Sequence, residues 1–286
     1  MITPSRLATS LGLALALASV VACGDGGSGP PVVDGAPGGD GGGGGDGGGT
    51  TPDANSSACG TTECSDCIDN DDDGYIDGED VECTGSADDD ESSFATGISG
   101  DNVDHFNQDC FFDGNSGAGN DGCARHSCCL LGFTTEQQCD DYFDSIGVSA
   151  NPNFDPADCA ETPSPMCVQT CGALTPPGCD CFGCCTICDP TTNDCFDIYT
   201  NPAVAPDCDE TTISDPTKCP VCTKVETCGV DCNPLECILC PGQDAEDLPA
   251  GCDAAECPEG SEVCGPDLAC PTGDFCSNGC CIFQIP

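Results

Sequence analysis

The sequence predicts a small disulfide-rich fold, mostly irregular loops and short hairpins with one short helix, behind a long disordered N-terminal tether. Three observations lead to this fold class. The 286-residue chain has 33 cysteines, it has no Trp and only eleven Phe and three Tyr, and it has 38 Gly and 23 Pro. A chain with so few large apolar side chains buries too little apolar surface to fold by that means alone. Disulfides are the usual substitute in exported proteins.

The first 22 residues have the layout of a secretory signal peptide. Arg6 is followed by an uncharged apolar stretch over residues 7–22, which is too short to span a membrane. The run Val20-Val21-Ala22-Cys23 resembles the lipobox of bacterial lipoproteins. That resemblance implies cleavage after residue 22 and a lipid anchor on Cys23, whereas the alternative is an ordinary signal peptide. Gly24 in place of an aspartate favours the outer membrane.

Residues 23–57 are rich in Gly and Asp and contain almost no large apolar residue. This composition cannot offset the entropy lost on ordering the chain. It therefore predicts a flexible tether between the anchor and the folded part.

The chain is strongly acidic, with 51 acidic and four basic residues and a net charge of −47. Loss of Arg6 with the signal peptide leaves three basic residues, and three minus 51 gives −48. Such a surface repels nucleic acids and anionic lipid headgroups and attracts cations or basic partners. We expect no nucleic-acid partner.

A module over residues 58–86 contains the sharpest motif, a run of acids at residues 69–80 that we call the acidic loop. Its spacing matches a twelve-residue calcium loop, with carboxylates at positions one, three, five, nine and twelve, glycine at six and a backbone carbonyl at seven. The predicted calcium ligands are Asp69, Asp71, Asp73, the Tyr75 carbonyl, Asp77 and Asp80.

The acidic loop differs from a helix-flanked calcium loop in two respects. Asp80 stands where a longer glutamate is usual, and Cys64, Cys67 and Cys83 bracket the loop. The loop therefore resembles those of thrombospondin type 3 repeats. We expect a dissociation constant in the range of extracellular calcium modules, about 0.1–1 mM, which would make the site structural. The alternative is a solvated acidic turn that binds nothing specific.

The rest of the chain is predicted to form a cysteine-rich domain over residues 87–204 and a C-terminal cysteine-rich module over residues 205–286. One helix is predicted after the cap Thr135, with a capping-box glutamine at Gln138 and a stop at Gly147. Residues 113–121 are a weaker candidate for a second calcium loop, with a plain turn as the alternative. The aspartates at residues 88–90 are interpreted as a solvated charge run.

The cysteines allow two chemistries. Two abutting CxxC pairs lie within residues 181–188, and Cys219/Cys222 and Cys237/Cys240 have zinc-like spacing. In an exported protein disulfides are favoured, and the 32 cysteines after Cys23 are enough for 16. Adjacent cysteines at 128/129, 184/185 and 280/281 should each join two different loops.

Catalysis has little support in the sequence. Cys128 lies two residues after His126, which makes a Cys-His nucleophile conceivable, but we expect Cys128 to be crosslinked. Motifs such as HExxH and GxSxG are absent from the sequence. We therefore predict that the protein is not an enzyme. A secreted-type hydrolase or inhibitor would have to depend on His126.

Four features together resemble the cysteine-rich surface lipoproteins of myxobacteria: the lipobox, the tether, the run from Cys64 to Asp71 and the run from Gly178 to Cys185. The resemblance implies an exported lipoprotein and transfers no activity. The expected function is a non-enzymatic, calcium-stabilised protein of the cell envelope, lipid-anchored at the outer membrane and cell surface. It would present loops for adhesion, envelope structure or binding of a protein or glycan. The alternative is a thiolate metal-binding or redox protein of the envelope.

Overall fold

The structure is a computed structural model that describes residues 59–100, 102–114, 121–149, 154–252, 255–265 and 268–284. The predicted signal peptide, Cys23 and the predicted tether lie outside the described residues. Within the described ranges, no helix has both the length and the apolar character needed to cross a membrane.

Three antiparallel hairpins provide the regular β-structure of the described part. They pair β1 (Asn107–Gln108) with β2 (Arg125–His126), β3 (Cys184–Cys188) with β4 (Cys195–Tyr199), and β5 (Asp274–Ser277) with β6 (Cys280–Phe283). Asn278 and Gly279 connect β5 to β6 with φ values of 51° and 76°, and two positive φ values are what a type I′ hairpin turn requires. The predicted short hairpins are confirmed.

The predicted helix is confirmed as Glu136–Ser145, the second helix along the chain, which we call α2. The N-cap Thr135 accepts the Gln138 N–H through its side chain at 3.3 Å. Gln138 Oε1 in turn accepts the Thr134 N–H at 2.9 Å, one residue before the expected capping-box partner. Gly147 ends the turn with a φ of 78°, a conformation that glycine adopts without strain.

Shorter helical pieces were not predicted. They are the α-helices α1 (Ser127–Leu130) and α3 (Pro165–Thr170), and the 3₁₀ turns Glu63–Ser65, Asp77–Glu79, Pro156–Ala160, Glu210–Thr212, Glu226–Cys228 and Pro234–Glu236.

All 32 cysteines from Cys59 to Cys281 pair into 16 disulfides, as predicted. Each pair of adjacent cysteines joins two different loops. The bonds are Cys128–Cys139 with Cys129–Cys159, Cys184–Cys222 with Cys179–Cys185, and Cys257–Cys280 with Cys270–Cys281.

These disulfides lie inside a contiguous core that extends from Phe94 to Cys228 and also contains Phe111, Phe143 and Tyr199. The crosslinks therefore supplement apolar packing as part of the same core. Two of them, Cys181–Cys228 and Cys184–Cys222, cross the predicted boundary after residue 204. The division into modules stays a prediction.

The predicted module over residues 58–86, called the acidic module below, contacts the C-terminal hairpin formed by β5 and β6. Phe275 of β5 packs in one buried cluster with Cys64 and Cys83, which are bonded to each other. Gly78 approaches the hairpin so closely that a Cβ built on it would lie 1.8 Å from the Cys276 carbonyl oxygen. The hairpin thus supports the acidic loop from one side.

Candidate metal site

Backbone N–H groups hold the carboxylates of the acidic loop in a tight turn. Asp69 Oδ2 accepts the Gly74 N–H at 3.1 Å, Asp71 Oδ1 accepts the Asp73 N–H at 3.1 Å, and Asp73 Oδ1 accepts the Tyr75 N–H at 2.8 Å. Gly74 has a φ of 109°, which a residue with a Cβ rarely adopts. The alternation of acids along the chain therefore produces a compact ring of side chains.

Four carboxylates converge at the end of this turn. Asp71, Asp73, Asp80 and Glu82 each offer an oxygen within 4.8 Å of the others. Asp71 and Asp73 are exposed, whereas Asp80 and Glu82 are only 3% and 2% exposed. Three of the six predicted ligands thus lie together, and Glu82 joins them from outside the predicted set.

Two oxygens in this region are buried without a hydrogen-bond partner among the described residues. They are Asp80 Oδ2 and Asp69 Oδ1, although the second oxygen of each carboxylate accepts a backbone N–H, from Glu82 at 2.7 Å and from Gly74 at 3.1 Å. A buried polar atom left unpaired costs about 1–3 kcal/mol. A cation bound in the cluster that contains Asp80 would satisfy the Asp80 oxygen.

Asp77 lies elsewhere in the loop. Its carboxylate accepts the Cys67 N–H at 3.2 Å and 3.0 Å through its two oxygens, and its own N–H donates to Glu91 Oε1 at 2.8 Å. Glu91 Oε2 also accepts the Asn70 N–H at 2.5 Å. Asp77 and Glu91 therefore fix the two ends of the acidic loop to its surroundings.

The interpretation of the aspartates at residues 88–90 as a solvated charge run was wrong for Asp88, and the neighbouring Glu91 is buried as well. Asp88 and Glu91 are 1% and 0% exposed. Asp88 accepts the Thr84 N–H at 3.0 Å and the Thr84 hydroxyl at 2.8 Å. These carboxylates are buried because turns of the chain leave backbone N–H groups that need acceptors.

Glu210 reaches the same region from a distant part of the chain. Its N–H donates to Glu82 Oε1 at 2.8 Å across 128 residues of sequence. Sequence reasoning missed both glutamates: Glu82 lies two residues beyond the twelve-residue pattern, and nothing in the local sequence marks Glu210.

The crowding of these acids changes their protonation. Burial, with smaller repulsion from neighbouring carboxylates, raises the pKa of Asp80 to about 9 and that of Glu82 to about 7. Burial, followed by contact with Asp73, raises the pKa of Glu210 to about 8. The pKa of Asp71 is raised, chiefly by burial. Carboxyl groups placed like this hold protons near neutral pH unless a cation replaces them.

The chemistry of the donor set suits a hard cation. All four members of the cluster are carboxylates, and Ca²⁺ takes six to eight oxygen ligands of this kind. Zinc and copper sites instead use nitrogen and sulfur donors in most proteins.

The cysteines of the other candidate sites in the described part are disulfide-bonded. Cys128 is bonded to Cys139 and donates its N–H to His126 Nδ1 at 3.1 Å, so it is not a thiolate nucleophile. Sulfur clusters such as that of Cys167, Cys181 and Cys228 consist of disulfide sulfurs.

The predicted second calcium loop falls largely on residues 115–120, outside the described residues. Its last member, Asp121, accepts the N–H groups of Cys110 and Cys123 at 2.9 Å and 2.8 Å.

No protein-family model, curated protein or solved structure matches the chain.

Proposed function

We propose that the protein is a non-enzymatic component of the cell envelope, anchored at the outer membrane and cell surface by lipid on Cys23. In this proposal calcium stabilises its disulfide-stapled body, which presents loops for adhesion, envelope structure or partner binding. The observation that carries the calcium assignment is the convergence of Asp71, Asp73, Asp80 and Glu82, with Asp80 buried and one of its oxygens unpaired.

The charge of the chain supports the same assignment. A net charge of −48 after signal removal opposes compaction, and the clustered acids oppose it locally. With a dissociation constant of about 0.1–1 mM, 10 mM calcium stabilises the folded state by about 1.4–2.7 kcal/mol.

Thermal unfolding with disulfides intact tests the calcium assignment. We expect the melting temperature of the mature protein to rise by several degrees between EDTA and 10 mM calcium, and to rise less in 10 mM magnesium because Mg²⁺ dehydrates reluctantly. Asp71→Asn should lose most of the calcium response. Equal melting temperatures in EDTA and calcium would refute the assignment.

Two further measurements test the anchor and the location. Intact mass of the detergent-extracted protein should show acylation at Cys23 and 16 disulfides. A protease added to whole cells should then cleave the protein at the surface. Full protection until the outer membrane is permeabilised would remove surface display, and an unmodified Cys23 would remove the anchor.

The thiolate metal-binding or redox alternative needs free thiols, and the pairing of the 32 described cysteines into disulfides weighs against it. Labelling of the denatured, unreduced protein with a thiol reagent separates the two proposals. We expect almost no labelling, and numerous labelled cysteines would favour the alternative.

A further inference from the structure

Two disulfides join residues that lie directly opposite each other on paired strands. Cys188 and Cys195 are the last pair of β3 and β4, and Cys179 and Cys185 form an isolated antiparallel bridge. The Cys188 N–H donates to the Pro241 carbonyl at 2.8 Å and not across the hairpin. Cys188 and Cys195 are therefore a non-hydrogen-bonded pair, the kind whose side chains lie closest together.

The Cα separations set these two disulfides apart from the rest. They are 3.9 Å for Cys188–Cys195 and 4.0 Å for Cys179–Cys185, whereas the other disulfides have separations of 4.7–5.9 Å. Disulfides usually hold their Cα atoms about 4.4–6.8 Å apart, and a bond outside this range is easier to reduce. Both cross-strand bonds are thus the most reducible of the set.

Accessibility distinguishes the two cross-strand bonds from each other. Cys179 and Cys185 are each 3% exposed and Cys188 is fully buried, whereas Cys195 is exposed. Among the 32 described cysteines only Cys59 is also exposed, and its disulfide has an ordinary Cα separation of 5.6 Å. Thiol exchange requires a sulfur that the attacking thiolate can reach. Within the described part, the disulfide of Cys195 alone combines a short separation with an exposed sulfur.

We propose that Cys188–Cys195 is an exchangeable disulfide, through which a dithiol reductant releases the tip of the β3–β4 hairpin, residues 189–194. One thiolate of the dithiol bonds to Cys195 Sγ, and the Cys188 sulfur leaves as a thiolate and takes up a proton. The second thiolate then attacks the dithiol sulfur of this mixed disulfide, and Cys195 leaves and is protonated in turn. The protein disulfide gains two electrons and becomes two thiols, while the dithiol loses two electrons and becomes a disulfide. The exchange requires neither the proposed calcium ion nor the lipid anchor.

The tip of the hairpin is bonded to a neighbouring segment, residues 241–247. The Asn193 side chain donates through Nδ2 to Asp247 Oδ1 at 2.8 Å and accepts through Oδ1 from Gln243 Nε2 at 2.6 Å. These bonds depend on the position of the tip, which the disulfide fixes at its base. Opening the disulfide should therefore loosen both the tip and the segment 241–247.

The rest of the hairpin is held independently of this disulfide. Two other disulfides, Cys184–Cys222 and Cys179–Cys185, hold β3 to other parts of the chain. At the far end of β4, Tyr199 is fully buried. The release should therefore stay local.

Limited reduction of the full mature protein by dithiothreitol tests the proposal, with alkylation and peptide mapping of the thiols formed. We expect Cys188–Cys195 to open about tenfold faster than Cys179–Cys185, because only the first bond offers an exposed sulfur. Cys179–Cys185 is the matched control, since its Cα separation is nearly the same and its two cysteines are buried. A monothiol, glutathione, should form a mixed disulfide on Cys195 and none on Cys188.

Hydrogen exchange measures the release without a reductant. In the double variant Cys188→Ala and Cys195→Ala, amides at 189–194 and 241–247 should exchange faster than in the wild type. Those at 184–187 should exchange as in the wild type.

Three results would overturn the proposal, and none of them bears on calcium or the anchor. The first is opening of Cys59–Cys67 or Cys179–Cys185 as fast as Cys188–Cys195. The second is a glutathione adduct on Cys188. The third is wild-type exchange at 189–194 and 241–247 in the double variant.

Discussion

Gly78→Ala is expected to detach the acidic module from the C-terminal hairpin. The new Cβ would lie 1.8 Å from the Cys276 carbonyl oxygen and 2.9 Å from Phe275 Cζ. The carbonyl belongs to β5, so no side-chain rotation relieves the overlap. The hairpin must shift by more than 1 Å to restore a normal separation of about 3 Å or more between these atoms.

The expected loss of stability follows from what the shift exposes. Phe275 is 5% exposed and packs on the Cys64–Cys83 disulfide. Burial of a Phe side chain contributes about 1.5–3 kcal/mol, and overpacking a buried site costs about 1–3 kcal/mol. We therefore expect Gly78→Ala to lower the free energy of unfolding by about 2–3 kcal/mol.

Denaturant unfolding with disulfides intact measures this loss, and hydrogen exchange of the β5–β6 amides locates it. Gly251→Ala is the matched control, because nothing lies within 4 Å of its Cβ position and its φ is outside the left-handed region. The control should change stability by less than about 1 kcal/mol. If Gly78→Ala unfolds like this control and the hairpin amides stay protected, the close approach of loop and hairpin is refuted.

Three further perturbations test what stabilises the folded part of the protein. Replacing both Cys64 and Cys83 by Ser opens a loop with a sequence separation of 19 and should cost about 3 kcal/mol in denaturant unfolding. Asp180→Ala removes a fully buried carboxylate that accepts three backbone N–H groups at 2.7–3.0 Å, and should cost about 3 kcal/mol or more in the same assay. In EDTA, the melting temperature should fall as the pH is raised from about 5 to about 9. Burial raises the pKa values of Asp80 and Glu82 above those of the unfolded chain, so the folded state binds more protons and loses stability as they leave. Saturating calcium should flatten this dependence.

Each of these expectations has a contrary result. An unchanged unfolding midpoint in either variant would contradict the role given to that disulfide or carboxylate. A melting temperature in EDTA that rises with pH over the same interval would contradict raised pKa values in the acidic cluster.

Features set by neighbouring residues could be predicted from the sequence. The cap at Thr135 and the stop at Gly147 predicted α2, and the 32 cysteines after Cys23, in a chain with an export signal, predicted disulfide pairing. The sequence also contains local signals for the start of α3 and for the β5–β6 turn. Ser164 followed by Pro165 marks the start of α3, where the Ser164 side chain accepts the Cys167 N–H, and Asn278-Gly279 marks the β5–β6 turn.

Features set by tertiary packing could not be predicted in this way. The spacing of the acidic loop placed Asp71, Asp73 and Asp80 together, but it gave no sign that Glu82 joins them or that Glu82 accepts the Glu210 N–H across 128 residues. The run of charge suggested that the aspartates at residues 88–90 are solvated, whereas Asp88 is buried as an acceptor for a turn of the chain. Disulfide partners also depend on which loops meet, and that information is absent from local spacing.

The lengths of the disulfide loops have a consequence for the order of assembly during synthesis. The two cysteines of each disulfide are separated by between 6 and 61 residues. Because the chain is made from its N-terminus onward, every disulfide can form soon after its second cysteine has been made. The contact of Phe275 with Cys64 and Cys83 must wait until nearly the whole chain has emerged. The acidic module is thus crosslinked early and docked last. A chain that ends before residue 274 would keep the Cys64–Cys83 bond and leave that module unsupported, so the earliest segment to fold depends on the last one made.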